Sequence, residues 1–199
     1  MFFITEIILI RHGETAGNKR RNYIGRTDEP LSAAGADYLR ACAAEGLYPR
    51  AELLIISPLM RCRQTAAIIY PDLQPRVIDD FRECDFGAFE NLNYQDLSDN
   101  ADYQAWIDGG GEGAFPGGES RAEFCRRVCR GFDAAINLAK AAKRTAMVIH
   151  GGTIMAILSS YTSGAYYDFI TENGCGWRVN LDEELWRQER RLPNPQPLF

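Results

Sequence analysis

Two histidines occur in the 199 residues, and both stand where an apolar run breaks. His12 follows "IILIR" and precedes Gly13. His150 follows "AMVI" and precedes Gly151-Gly152. A neutral imidazole is a nitrogen nucleophile. Arg11 adjoins the first histidine, and Arg61 lies in "SPLMRCRQTA". A guanidinium fork matches the oxygens of a phosphoryl group. Glu83, in "FRECDFG", is a carboxyl that burial or a nearby anion can tune into a proton donor. A nucleophile, cations and an acid are what phosphoryl transfer to a side chain requires.

These groups act together only if the chain converges them. The runs "EIILI" (6–10), "ELLIIS" (52–57) and "TAMVI" (145–149) read as buried strands, and "RVIDD" (76–80) as a shorter one. Between them lie helical patterns. One runs from about 33 to 45 with Ser32 as cap, and one opens at Pro58 in a first-turn position. A long amphipathic helix follows Ser120, and another is "GGTIMAILSSY". In the tail, "GWRVNL" and "ELWRQER" read as alternating runs joined by Asp182-Glu183-Glu184, a hairpin at a sheet edge. "LPNPQPLF", with three prolines, reads as a loosely held end.

This alternation predicts an α/β fold, a three-layer α/β/α sandwich on a mostly parallel sheet. It is read as one domain over 1–199, with 84–120 as a small cap insertion. In such sheets ligands sit outside the carboxyl ends of the strands. Arg11-His12, Ser57-Pro58 with Arg61 beyond, and His150 all follow strand ends. Gly151 and Gly152 open a helix whose N–H groups can face an anion.

The composition is that of a globular domain, 46% hydrophobic and 25% charged. A net charge of −5 argues against a general nucleic-acid binder. Arginines outnumber lysines 19 to 3, which is compatible with anion recognition. No run is long and apolar enough for a membrane span, and the N-terminus lacks a signal-peptide pattern. None of the six cysteines forms a CxxC pair; Cys125 and Cys129 are spaced i, i+4, too far for a relaxed disulfide. They read as reduced, small hydrophobes in a reducing cytoplasm.

The segments "LIRHGETAGN", "GRTDEPLSAAG", "SPLMRCRQTA", "FRECDFGAFE" and "VIHGGT" occur in the order found in the histidine phosphatase superfamily, in its phosphoglycerate-mutase-like branch. The chain resembles that family over nearly its whole length. The resemblance implies a phosphohistidine mechanism with no metal and no cofactor. It makes His12 the nucleophile, Arg11 and Arg61 the phosphate clamp, and His150 a further phosphate partner. Asn18 would hydrogen-bond the phosphate, and the Gly25 and Gly151 backbones would approach it. Glu83 matches the proton donor, which then serves as base for the water that hydrolyses phosphohistidine. Two positions depart from the pattern: Asn22 stands where the family often has Arg, and Ile24 where it often has Gln, Ser or Thr.

Residues 84–120 contain no Lys or Arg and eight acids. That charge disfavours a doubly anionic mutase substrate. Phe86, Phe89, Tyr94, Tyr103, Trp106 and Phe115 lie in the same segment, about half of them expected to pack the segment itself. Together these predict a small-molecule phosphomonoester with one phosphate and a partly apolar body. The stretches "YQAW", "FPGGES…F..RV" and "NGCGW" resemble alpha-ribazole phosphatases most, with broad-specificity phosphatases close to them. The alternatives are a cofactor-dependent phosphoglycerate mutase and a non-catalytic phospho-ligand-binding module. Oligomeric state is not legible.

Overall fold

The computed structural model describes residues 5–199. Its strands and helices alternate in the order β1 (Thr5–Arg11), α1 (Ala16–Lys19), α2 (Ala33–Ala44), β2 (Leu53–Ile56), α3 (Met60–Ile69) and β3 (Arg76–Val77). After these come α4 (Ala101–Asp108), α5 (Arg121–Ala139), β4 (Arg144–Ile149), α6 (Gly151–Tyr161), β5 (Gly176–Leu181), α7 (Glu183–Glu189) and β6 (Gln196–Pro197). The sheet order is β3-β2-β4-β1-β5-β6. The pairings among β3, β2, β4 and β1 are parallel; β5 and β6 add antiparallel.

The central strands are apolar throughout because both faces of the sheet are covered. Side chains alternate between faces along each strand, and the core divides accordingly. Ile8, Ile10, Leu54, Ile56, Ala146 and Val148 pack with Leu39 and Cys42 of α2 and Cys62 and Ala66 of α3. Ile7, Leu9, Ile55, Met147 and Ile149 pack on the other side with α5, α6 and Trp186 of α7. The result is the expected three-layer α/β/α sandwich. The 84–120 segment joins the second cluster through Phe89, Leu97, Tyr103 and Phe115.

Capping fixes several helix starts. Ser120 and Glu123 form a reciprocal capping box at α5. Ser32 caps α2. Leu59 is the N-cap of α3, so Pro58 precedes the helix instead of opening it.

Three further expectations are corrected. The run 76–80 is a strand only over Arg76–Val77; Asp79–Phe81 form a 3₁₀ turn. "ELWRQER" is not a hairpin strand but α7. The Asp182 carboxylate accepts from the Glu184 and Leu185 amides, Glu183 and Glu184 occupy the first turn, and Trp186 packs edge-on to Phe132. The tail is docked: Gln196–Pro197 pair with β5, and Leu198 N–H donates to the Gly176 carbonyl at 2.8 Å.

Candidate active site

Strand register builds the site. Arg11 of β1 lies opposite Ile149 of β4, so His12 and His150 follow the ends of adjacent parallel strands. Ile56 of β2 lies opposite Val148, which brings Ser57 beside His150. The rings of His12 and His150 meet edge to face, their centroids 5.2 Å apart. Both imidazoles are buried, as is Arg61.

The hydrogen bonds assign the tautomers. His12 Nδ1 lies 2.8 Å from the Gly13 carbonyl, which can only accept. The proton is therefore on Nδ1, and Nε2 carries the free lone pair. His150 Nδ1 accepts from Arg61 Nε at 3.3 Å, so His150 Nε2 carries its proton and donates to Ser57 Oγ at 2.7 Å. Burial, then the Arg61 and Arg11 guanidiniums, hold the His12 pKa well below the ordinary imidazole value. Burial and the charge of Arg61 do the same to His150. Both rings are neutral near pH 7.

Arg61 is pinned. Beyond His150, it donates to the carbonyls of Thr27 (2.8 Å), Ile24 (3.3 Å) and Gly25 (2.9 Å). Only one of its five N–H groups remains for a ligand. Arg11 differs. It donates one bond, to the Thr171 carbonyl at 2.7 Å, and its Nε is buried without a partner. A buried unpaired donor costs about 1–3 kcal/mol, a cost that an oxyanion in front of Arg11 removes.

Glu83 is held by two main-chain amides, Cys84 N–H to Oε1 at 3.0 Å and Gly152 N–H to Oε2 at 3.1 Å. Burial raises its pKa, opposed by those amides and by Arg61 and Arg11. A Cβ at residue 152 would stand 2.4 Å from Glu83 Oε1, so any larger residue there would displace the carboxyl. The first turn of α6 thus faces the acid at Gly152, while Gly151 backs onto the Arg11 side chain.

Asn18 and Gly25 are placed less simply. Asn18 forms a capping box with Thr15, and its Oδ1 also accepts from Asn173 at 3.2 Å. The group it can offer a ligand is Nδ2. The Gly25 N–H donates to both oxygens of Glu90 at 3.1 Å, so its amide faces that carboxylate. Glu90 also gathers the amides of Arg26 and Phe86 and the amide and hydroxyl of Thr27. Glu90 thereby ties the 24–27 loop to the acid-bearing loop. Asn22 bonds the Asn91 carbonyl at 2.7 Å, and Ile24 is buried. Arg26 pairs with Asp85 at 2.9 Å.

Several supporting residues had weak sequence signals. Thr65, in "RQTA", accepts from Gly13 N–H at 3.0 Å and donates to the Arg61 carbonyl at 2.7 Å. Its i, i+4 spacing from Arg61 was the available clue. Asn173 donates to the His12 carbonyl at 3.0 Å, and Gly174 N–H reaches the Arg11 and His12 carbonyls. The "NGCGW" stretch therefore braces the end of β1. Cys62 packs its sulfur 3.6 Å from His150 Nε2, where burial pushes the thiol up to about 12.

Beside Glu83 and Gly152 opens a cavity of about 350 Å³. Phe86, Trp106 and Phe115 line it, with Tyr166 and Tyr167 from the loop after α6. Of the other three aromatics in 84–120, Phe89 and Tyr103 are core and Tyr94 is exposed. One cation reaches the wall. Arg121, one residue beyond the acidic segment, pairs with Glu112 and lies 5.6 Å above the Tyr166 ring.

The profile described as "Histidine phosphatase superfamily (branch 1)" matches residues 7–191. The uncharacterized phosphatase PhoE of Bacillus subtilis (strain 168) is 30% identical, the alignment covering 92% of each chain. The probable phosphoglycerate mutase GpmB of Proteus mirabilis (strain HI4320) is 33% identical over 78% of this chain and 74% of its own. Among solved structures, the alpha-ribazole phosphatase of Shigella flexneri superposes with a TM-score of 0.80 at 24% identity, covering 90% of this chain and 92% of its own. A phosphoglycerate mutase from Thermus thermophilus does so at 0.70 with 29% identity, covering 96% and 98%.

Proposed function

Because the chain belongs to the histidine phosphatase superfamily and is an enzyme of that class, we propose that it is a phosphomonoesterase working through phosphohistidine at His12. The observation that carries this reading is the state of His12: neutral, with Nδ1 tied to Gly13 and Nε2 free.

Nε2 attacks phosphorus while Arg11 and Arg61 balance the phosphoryl oxygens, joined by Asn18 Nδ2 and by His150 Nε2–H in exchange for its bond to Ser57 Oγ. Glu83, in the protonated form that its burial favours, gives its proton to the leaving oxygen. The new carboxylate then takes a proton from water, which attacks the phosphohistidine and releases inorganic phosphate. Every step uses side chains of this chain alone.

The substrate in this reading is a small monoester with a neutral, partly apolar body, supported by the aromatic cavity beside Glu83. Alpha-ribazole phosphate is the example suggested by the sequence resemblance. The six free thiols support a reducing, cytoplasmic setting. Among the described residues no helix is long and apolar enough to cross a membrane.

The second reading is a phosphoglycerate mutase, which Arg121 on the cavity wall favours. Glu112 already neutralises that charge, so the phosphatase reading is preferred. The deciding test is a turnover screen over nucleotides, sugar phosphates, alpha-ribazole phosphate and phosphoglycerates. The proposal expects phosphate release from monoesters with aromatic or apolar bodies. Interconversion of 2- and 3-phosphoglycerate without phosphate release would overturn it.

A further inference from the structure

Arg127 stands on the second turn of α5, away from the phosphate-facing residues. Its side chain is about four-fifths buried. It donates to three main-chain carbonyls: Asp80 at 2.9 Å, Arg82 at 3.0 Å and Glu83 at 3.2 Å. Its remaining donors hold Glu119 in a two-pronged ion pair, at 2.7 and 2.6 Å. Glu119 in turn accepts from the Asp85 amide at 3.0 Å, and its own N–H donates to the Asp85 carbonyl at 2.9 Å. The main chain from residue 80 to 85 is therefore gripped from behind, at the one point in the chain that carries the acid.

On the opposite side the Glu83 carboxyl rests on Gly152 N–H of α6. Arg127 bonds the Glu83 carbonyl and not its carboxyl; Arg61 and Arg11 are the cations that lower the Glu83 pKa, while Glu83 is only a minor charge partner of Arg127, after Glu119. The hydrogen bonds of Arg127 to this main chain make its action chiefly geometric. The stretch "GGES…F..RV" gains a physical meaning here: Glu119 is its acid and Arg127 its base.

We infer that Arg127, oriented by Glu119, is a positioning residue that holds the Glu83 carboxyl at the leaving-group oxygen without taking part in phosphate binding. The inference rests on the proposed role of Glu83. A guanidinium suits this task because its planar fork reaches several acceptors at once. An ammonium at the same place would hold one carbonyl and leave others free.

A loosened acid affects one step selectively. The ratio kcat/KM reports events up to departure of the leaving group, before phosphohistidine is hydrolysed. An alkoxide leaves only with a proton, whereas a 4-nitrophenolate leaves well without one. The experiment compares 2-phenylethyl phosphate with 4-nitrophenyl phosphate in the wild type, R127M, R127K and E119Q. Arg127→Met should lower kcat/KM for the alkyl ester by about 10²-fold, the scale of general acid catalysis. The aryl ester should lose less than about threefold. The inhibition constant of inorganic phosphate should stay within about twofold, because Arg11 and Arg61 are untouched. Arg127→Lys should fall between.

Equal loss on both esters, parallel weakening of phosphate inhibition, or no loss at all would overturn the inference. If Arg127→Met does not fold, Glu119→Gln carries the same comparison, since the Ser120–Glu123 cap is left in place. Amide exchange across residues 80–85 gives a readout independent of turnover and should accelerate in both variants; unchanged exchange would also overturn it. A wild type inactive on both esters would instead sink the proposed reaction, while exchange still reports on the grip.

Discussion

His12 and His150 meet edge to face at 5.2 Å between ring centroids, and Arg61 donates into the second ring. Two imidazoles so close to a buried guanidinium cannot both be protonated at ordinary cost. The pair is kept neutral by position, which leaves His12 Nε2 a lone pair with no hydrogen-bond partner among the described residues.

Covalent chemistry at His12 is the first expectation. Brief incubation with a labelled monoester should give an acid-labile, base-stable adduct on His12. His12→Ala should lose at least about 10³-fold in turnover, comparable to removing other covalent nucleophiles. Full activity in that variant contradicts the mechanism. EDTA should leave the rate unchanged.

The pH dependence follows from two opposite shifts. His12 must be neutral to attack, and its pKa is lowered by burial and by the two arginines. Activity therefore persists below the usual imidazole range and is lost as pH falls through the lowered value. Glu83 must be protonated to donate, and its pKa is raised by burial. Activity is lost as pH rises through that raised value. The profile of kcat/KM for an alkyl ester should be a bell displaced in this way. Glu83→Gln should remove the alkaline limb and lower kcat/KM by about 10²–10⁴-fold. An alkaline limb that survives the substitution would assign the acid elsewhere.

Discrimination by charge is the third expectation. With Arg121 occupied by Glu112, and with Asp96, Asp99, Asp102 and Asp108 of 84–120 in no ion pair among the described residues, a doubly anionic substrate meets repulsion. Apolar or aromatic monoesters should turn over faster than phosphoglycerates at low ionic strength, and added salt should narrow the gap. A gap indifferent to salt would point to shape instead.

Glu90→Ala tests the junction between the two loops. Removal of the carboxylate strands the amides of Gly25, Arg26, Thr27 and Phe86. Water can reach part of this site, so the loss is expected at about 1–3 kcal/mol in urea unfolding. Stability within about 0.5 kcal/mol of wild type would mean the loops hold together by other means.

The sequence showed the sandwich because the central strands are apolar on both faces and each helix between them carries a strong period. The tail misled because "ELWRQER" alternates as well as a strand does. What decides it is tertiary: Asp182 caps the turn and Trp186 finds Phe132 and Tyr161. In the site, Arg11, His12 and His150 meet because they end or follow adjacent strands, while Arg61 comes from the first turn of α3 and Glu83 from the loop after the Asp79–Phe81 turn. The partners that orient them were not legible. The Ser57, Thr65 and Asn173 contacts span 52 to 161 residues of chain, and no local pattern announces them. Arg121 was missed for a simpler reason: it lies one residue outside the segment whose charge was counted, and the helix turns it inward.

Both margins of the sheet end in two-residue strands, Arg76–Val77 on one side and Gln196–Pro197 on the other. Pro197 has no amide hydrogen to offer, and Leu198 bonds back to Gly176. Each outermost strand is too short to offer a second molecule much ladder to extend. The residues after Leu192 thus act as a selvedge, the finished edge that keeps a weave from running. Cutting the chain after Leu192 would bare the start of β5, from Gly176 to Arg178, and invite edge-to-edge pairing between copies that the docked tail resists.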